Sequence, residues 1–228
     1  MKSSDTTLCG HTLSNTADAA VFIVYDVMLP NVRPISRHRG TPARPPRLDG
    51  NTYHALRNGY QIFPSMLQAI ASARQTITFE SYIYWSGDIG KKFADALSER
   101  AKAGVKVHVL LDWAGSQKME GALLDELKTA GVHFERFHEP QWYHLGRLNN
   151  RTHRKLLVID GKVGFTGGVG IAPLWEGNAQ DENHWRDSNF RVECPVGAQM
   201  KSVFVDNVTR ASGEVRRGTA SFPPRARV

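Results

Sequence analysis

Apolar residues recur at helical spacing in three places along the chain. Phe63, Met66, Leu67 and Ile70 stand at i, i+3, i+4 and i+7, one face of a helix. Ile89, Phe93, Leu97 and Ala101 mark a second helix, and Leu123, Leu124 and Leu127 a third. Gly104 and Gly131 follow as stop signals. Other stretches are short and rich in β-branched and aromatic residues. They predict strands over residues 76–84, 105–111 (ending at Asp112) and 132–137. Residues 155–159 and 163–166 predict two strands joined by the tight-turn pair Asp160-Gly161. A short strand over 190–192 and a helix over 196–209 complete the pattern. Strands alternating with helices imply an α/β domain with a mixed, largely parallel sheet flanked by helices.

The two ends carry no such pattern. In residues 1–48, Arg33, Arg37, Arg39, Arg44 and Arg47 are interleaved with Pro30, Pro34, Pro42, Pro45 and Pro46. Prolines at that density oppose regular structure, so this is expected to be a basic extension. It is either a solvated linker or a strip that touches anionic lipid at the cytoplasmic membrane face. Residues 213–228 hold Pro223, Pro224 and four arginines without periodicity, and are expected to be a disordered basic tail. The domain is therefore placed at residues 49–212.

Composition narrows the partners. The 228 residues are 41% hydrophobic, ordinary for a globular protein, and carry a formal net charge of +7. Anionic partners follow: phosphate, lipid head groups or nucleic acid. Cys9 and Cys194 are in no metal-ligand spacing and are expected to be unpaired thiols in a reducing compartment. The first ten residues lack the apolar core of a secretory signal. The apolar stretch 19–29 contains Asp26 and is too short to span a bilayer. N-x-[ST] matches at Asn150 and Asn207 mean little without secretion.

The run Thr152-His153-Arg154-Lys155-Leu156-Leu157-Val158-Ile159-Asp160 carries the chemistry. His153 and Lys155 are two residues apart at a strand start and so share a face. Asp160 lies past the strand, at the turn. Gly167 and Gly168 follow, and let the backbone approach a ligand closely. Phosphoryl transfer suits these residues. Lys155 supplies positive charge to a phosphodiester oxygen without a metal, and His153 can attack phosphorus to form a covalent intermediate. A nucleophilic histidine must be neutral and held in one tautomer by an acceptor, for which Asp187 is the candidate. An isolated H-x-K would be two surface residues at a strand edge; here the apolar run, the Asp-Gly turn and the Gly-Gly pair follow in order. Other clusters carry less. His133, Glu135, His138 and Glu139 do not form H-E-x-x-H, and the glycines of residues 164–170 lack the Gly-Lys-[Ser/Thr] of a P-loop. Trp142, Tyr143 and His144 read as either core aromatics or an interfacial patch.

H-x-K-x4-D followed by Gly-Gly resembles the signature of the phospholipase D superfamily, and the resemblance runs over residues 50–212. Glu80-Ser81-Tyr82 is similar to that family's first strand. Leu111-Asp112 with Gly115-Ser116, residues 151–168 and Trp185-Arg186-Asp187 are similar to its cardiolipin synthase branch. The resemblance implies a phospholipase-D-like half-domain that transfers phosphatidyl groups through a phosphohistidine. His153 is then nucleophile or general acid, Lys155 binds phosphate with Gly167 and Gly168, Asp187 orients the histidine, and Asp160 is structural. Anionic phospholipid is the implied partner, ahead of nucleic acid. The implied location is the cytoplasmic face of the inner membrane, peripherally held, and no cofactor or metal is implied. Gly170 stands where many members have Asn, and Val208 where they have Trp. Members need two such motifs, and only His153 here is followed by x-Lys-x4-Asp. The chain therefore resembles the front half of a longer enzyme. That leaves a catalytic half-site completed by a homodimer or a separate second half, a single-motif nuclease working as a dimer, or an inactive truncated fragment that binds anionic lipid.

Overall fold

The computed structural model describes residues 50–137, 152–193 and 195–212. In chain order these form β1 (Thr52–Arg57), α1 (Asn58–Ser72), β2 (Thr76–Ser81), α2 (Asp88–Lys102), β3 (Lys106–Asp112) and α3 (Gly121–Thr129). There follow β4 (His133–Phe137), β5 (Leu156–Ile159), β6 (Val163–Gly167), a 3-10 turn (Pro173–Trp175), β7 (Ser188–Glu193) and α4 (Val196–Ser212). Each element expected from the hydrophobic pattern is present. The stop signals work as read: Gly104 and Gly131 take φ of +87° and +90°. At each, an amide just past the glycine reaches back to a carbonyl of the last helical turn, Val105 to Arg100 at 3.0 Å and Val132 to Leu127 at 3.1 Å.

The strands form one sheet in the order β1-β7-β6-β5-β2-β3-β4. It is mixed, but the expectation that it is largely parallel is corrected. Only β2–β3 and β3–β4 are parallel; β1–β7, β7–β6, β6–β5 and β5–β2 are antiparallel. Parallel neighbours need a crossover, which α2 and α3 supply. From β5 onward the links are a tight turn and a loop with no α-helix in it, so the direction alternates. Strand β2 ends at Ser81, short of the expected Tyr84, because the Ser81 hydroxyl donates to the Ile83 carbonyl and turns the chain. Tyr84 rejoins only through an isolated bridge to Ile171.

Alternation along the strands divides the side chains between two faces. Ile77, Phe79, Val107, Val109, Leu157 and Phe165 pack with Ile62, Phe63, Phe93, Leu97 and Leu127 of α1–α3 in the main core. Thr78, Glu80, Asp112, Leu156 and Val158 face the other way. There α4 closes the layer with the buried Met200, Phe204 and Val208. The basic extension, Cys9, Cys194, the segment holding His138, Glu139, Trp142, Tyr143 and His144, and the tail lie outside the described residues. Among the described residues no helix is long and apolar enough to cross a membrane.

Candidate active site

The register puts the chemistry at one end of the sheet. Leu156 at the start of β5 is opposite Glu80 at the end of β2, and opposite Thr166 at the end of β6; Gly167 is opposite Asn189 near the start of β7. His153 and Lys155 sit in the extended approach to β5 rather than within it, and still converge. The Lys155 ammonium lies 3.1 Å from Nε2 and 3.2 Å from Nδ1 of His153. The Tyr82 ring backs the imidazole, with centroids 4.8 Å apart, and Lys155 Nζ lies 5.5 Å from the Tyr82 centroid.

Electrostatics keep the imidazole neutral. Partial burial pushes His153 below its ordinary value and the neighbouring Lys155 pushes it further, while Asp112 opposes. Burial also brings Lys155 down to about 8, opposed by the charge of Asp187. A neutral imidazole thus touches an ammonium that is still charged at neutral pH.

Asp187 is held close to this pair but does not bond the histidine. Its Oδ2 accepts from Trp175 Nε1 at 3.1 Å and its Oδ1 from the Ser188 amide at 2.7 Å. Its backbone is clasped by Asn58 at the head of α1. The Asn58 amide donates to the Asp187 carbonyl at 2.9 Å, and the Asp187 amide donates to Asn58 Oδ1 at 3.1 Å. Gly168 makes room for the carboxylate: a Cβ there would stand 2.5 Å from Asp187 Oδ1. A Cβ at Gly167 would stand 2.5 Å from the Ser188 carbonyl. The two glycines are thus required by the approach of β7. Gly170 is fixed by packing too, since a Cβ would meet Ile83 at 2.8 Å and Trp175 at 2.9 Å.

Asp160 is at the far end of β5, a four-residue strand roughly 13 Å long. Its carboxylate accepts the amides of Arg74, Gln75 and Thr76 at 2.8–3.0 Å. It ties the start of β2 to the β5–β6 turn and does not touch the histidine. Thr152, by contrast, was given no role from sequence and is a buried anchor. Its amide donates to Asp112 Oδ2 at 3.1 Å and its hydroxyl donates to Glu80 Oε1. Glu80 and Asp112 are carboxylic residues fully buried at the ends of two core strands, beside Phe79 and Leu111, and an acidic residue next to an apolar strand position is the signal that could have marked them.

The family model described as the phospholipase-D-like domain of cardiolipin synthase matches residues 66–186. The chain belongs to this phospholipase D-like family. The match spans His153, Lys155 and Asp160, and ends one residue before Asp187. Over 182 residues the chain is 37% identical to cardiolipin synthase 1 of Bacillus anthracis, covering 78% of this chain and 35% of that protein. It is also 37% identical to cardiolipin synthase B of Salmonella typhimurium over 163 residues, 70% of this chain and 39% of that one. The chain thus spans little more than a third of these relatives. Among solved structures, the phospholipase D family member Nuc from Salmonella typhimurium superposes with a TM-score of 0.54 at 15% identity, over 70% of this chain and 95% of that chain. Phosphatidylserine synthase of Haemophilus influenzae superposes at 0.52 and 14%, over 77% and 40%. These two share the phospholipase D-like fold.

Proposed function

We propose that the chain is one half of a phosphatidyl-transferring active site of cardiolipin synthase type, working through a phosphohistidine. The observation that carries this is the contact of a neutral imidazole with a charged ammonium at one end of the sheet. A nitrogen of His153 attacks the phosphorus of an anionic phospholipid, forming an N–P bond as the bond to the leaving glycerol oxygen breaks. That oxygen takes a proton from an acid on the opposing half. The hydroxyl of a second phospholipid then attacks phosphorus, restores the free imidazole and gives up its proton to the same opposing group. Lys155 holds the phosphoryl oxygens throughout. Asp187 supports the Lys155 charge; to orient His153 directly the two side chains would have to come into hydrogen-bond contact, which they do not make in this structure.

The reading as a phospholipid enzyme is supported by the net charge of +7 and by the names of the curated relatives, and a peripheral place at the cytoplasmic face of the inner membrane is proposed with it on the charge alone. The test is turnover of phosphatidylglycerol vesicles, with the lipids separated and weighed by mass spectrometry. The assay compares the chain, given whatever second half it needs, with His153→Ala. The wild type should form cardiolipin and glycerol and carry acid-labile, alkali-stable phosphorus on histidine. The variant should do neither while keeping its circular dichroism. Near wild-type turnover in a folded His153→Ala would remove His153 from the reaction.

A further inference from the structure

Beneath the exposed His153 lies a polar cluster that the phosphoryl chemistry does not use. Glu80 is 0% exposed, on the face of β2 that α4 covers. A single oxygen, Oε1, accepts both the Thr152 hydroxyl and, at 2.7 Å, Asn207 Nδ2 from α4. Thr152 and Asn207 are themselves 5% exposed. The other oxygen, Oε2, is buried without a hydrogen-bond partner among the described residues. Burying a carboxyl group with one oxygen unpaired opposes stability, so a simple packing role is a poor explanation for it.

The connectivity supplies a better one. Thr152 immediately precedes His153 and has no strand neighbour to hold it, because β5 begins only at Leu156. It is gripped twice, by Asp112 through its amide and by Glu80 through its hydroxyl. Asn207 holds Glu80 from behind. Asn207 also lies outside the part of the chain that the family model matches. We infer that Glu80 and Asn207 are positioning residues, a buried clamp on Thr152 that fixes the placement of the His153 ring against Lys155 and makes α4 part of the half-site. The clamp rests on the reading of His153 as the reacting group only for its importance; its existence can be tested without turnover. Burial raises the Glu80 carboxyl, opposed by its bonds to Thr152 and Asn207 and by the Arg154 charge. The groups facing His153 itself are Lys155, Asp112 and Tyr82.

The experiment is the histidine Cε1–Hε1 NMR spectrum of the full chain titrated with pH, with the His153 signal assigned by its loss in His153→Ala. The wild type should give one sharp His153 signal titrating below about 6.5. In Thr152→Val and Asn207→Leu that signal should broaden or split and its midpoint move up toward the unperturbed value. Thr152→Ser, which keeps the hydroxyl, should restore it. Lys201→Met is the control. It removes another buried contact of the same helix, Lys201 Nζ to Thr76 Oγ1 at 3.1 Å, near the Asp160 end of the sheet. It should lower the melting temperature and leave His153 unmoved. Should Asn207→Leu fail to fold, the Thr152 pair decides. A His153 signal unchanged in folded Thr152→Val, or moved equally by Lys201→Met, overturns the clamp. Absence of turnover in the wild type would bear on the phosphatidyl-transfer reading alone.

Discussion

At the scale of single residues, the chemistry depends on two opposite demands met within 3.2 Å: an imidazole without its extra proton and an ammonium that keeps its own. In the proposed reaction His153 must be unprotonated to attack, so protonation below its depressed pKa would silence it. Lys155 loses its charge above about 8. The free-enzyme profile of kcat/KM should therefore be a bell, rising through a pKa below about 6.5 and falling through one near 8. Asp187 is the carboxylate that raises Lys155, so Asp187→Asn should shift the descending limb to lower pH and leave the ascending limb in place. A descending limb that stays put, measured on phosphodiester turnover from pH 5 to 10, would detach Asp187 from Lys155. The convergence of His153 and Lys155 was legible in the sequence because it is local, two residues along an extended chain. The grip on Thr152 was not. Its partners lie 40 and 72 positions away, and only the register of β2 and β3 brings them there.

At the scale of elements, Asp160 shows how one side chain sets a register. Three amides at the start of β2 end on its carboxylate, and the Asp160 amide itself donates to the Thr76 carbonyl at 2.8 Å. With Asp160 at φ +51° and Gly161 at +66°, the turn takes the left-handed conformation that an Asp-Gly pair supports. Removing the carboxylate in Asp160→Ala leaves the Arg74 and Gln75 amides to water and the part-buried Thr76 amide without its acceptor, which should lower stability by about 1–2 kcal/mol in urea unfolding. Asp160→Asn, retaining one acceptor, should lose less than half of that. Equal losses in the two variants would assign the effect to the turn conformation alone. The turn was read from the sequence because Asp-Gly is a local signal. Strand β1 was not read: all six of its positions are exposed or half-buried, so no apolar face marks it. Its place comes from pairing with β7, residue 52 with residue 193. The sheet's direction was misread for a related reason. Alternating helices and strands up to β4 do build a parallel half. Nothing in the periodicity of β5, β6 and β7 announces that their connections lack crossovers.

At the scale of the whole molecule, the proposed reaction needs a second group facing His153. In the proposed reaction the half-site contributes the motif histidine His153, which can attack phosphorus or protonate a leaving oxygen but cannot do both in one step. An unprotonated glycerol alkoxide is a poor leaving group, and a positioned acid contributes about 10²–10⁴-fold. A two-fold dimer would bring one His153 opposite its counterpart, because such an interface applies the same patch from both chains. A separate second half could do the same. The structural relatives contain units of both proportions: the matched fold is 95% of the Nuc chain but 40% of the phosphatidylserine synthase chain. We predict that specific activity tracks the assembled fraction. Across a dilution series, sedimentation velocity and turnover of phosphatidylglycerol vesicles should fall together, and the monomer should be slower by at least about 100-fold. Mixing His153→Ala with wild type should remove activity from the mixed dimer as well as from the variant dimer. At equal amounts only about a quarter of randomly formed dimers then keep both histidines. Full specific activity in a strictly monomeric sample would mean that the acid resides within this chain, and the two-histidine site would have to be abandoned.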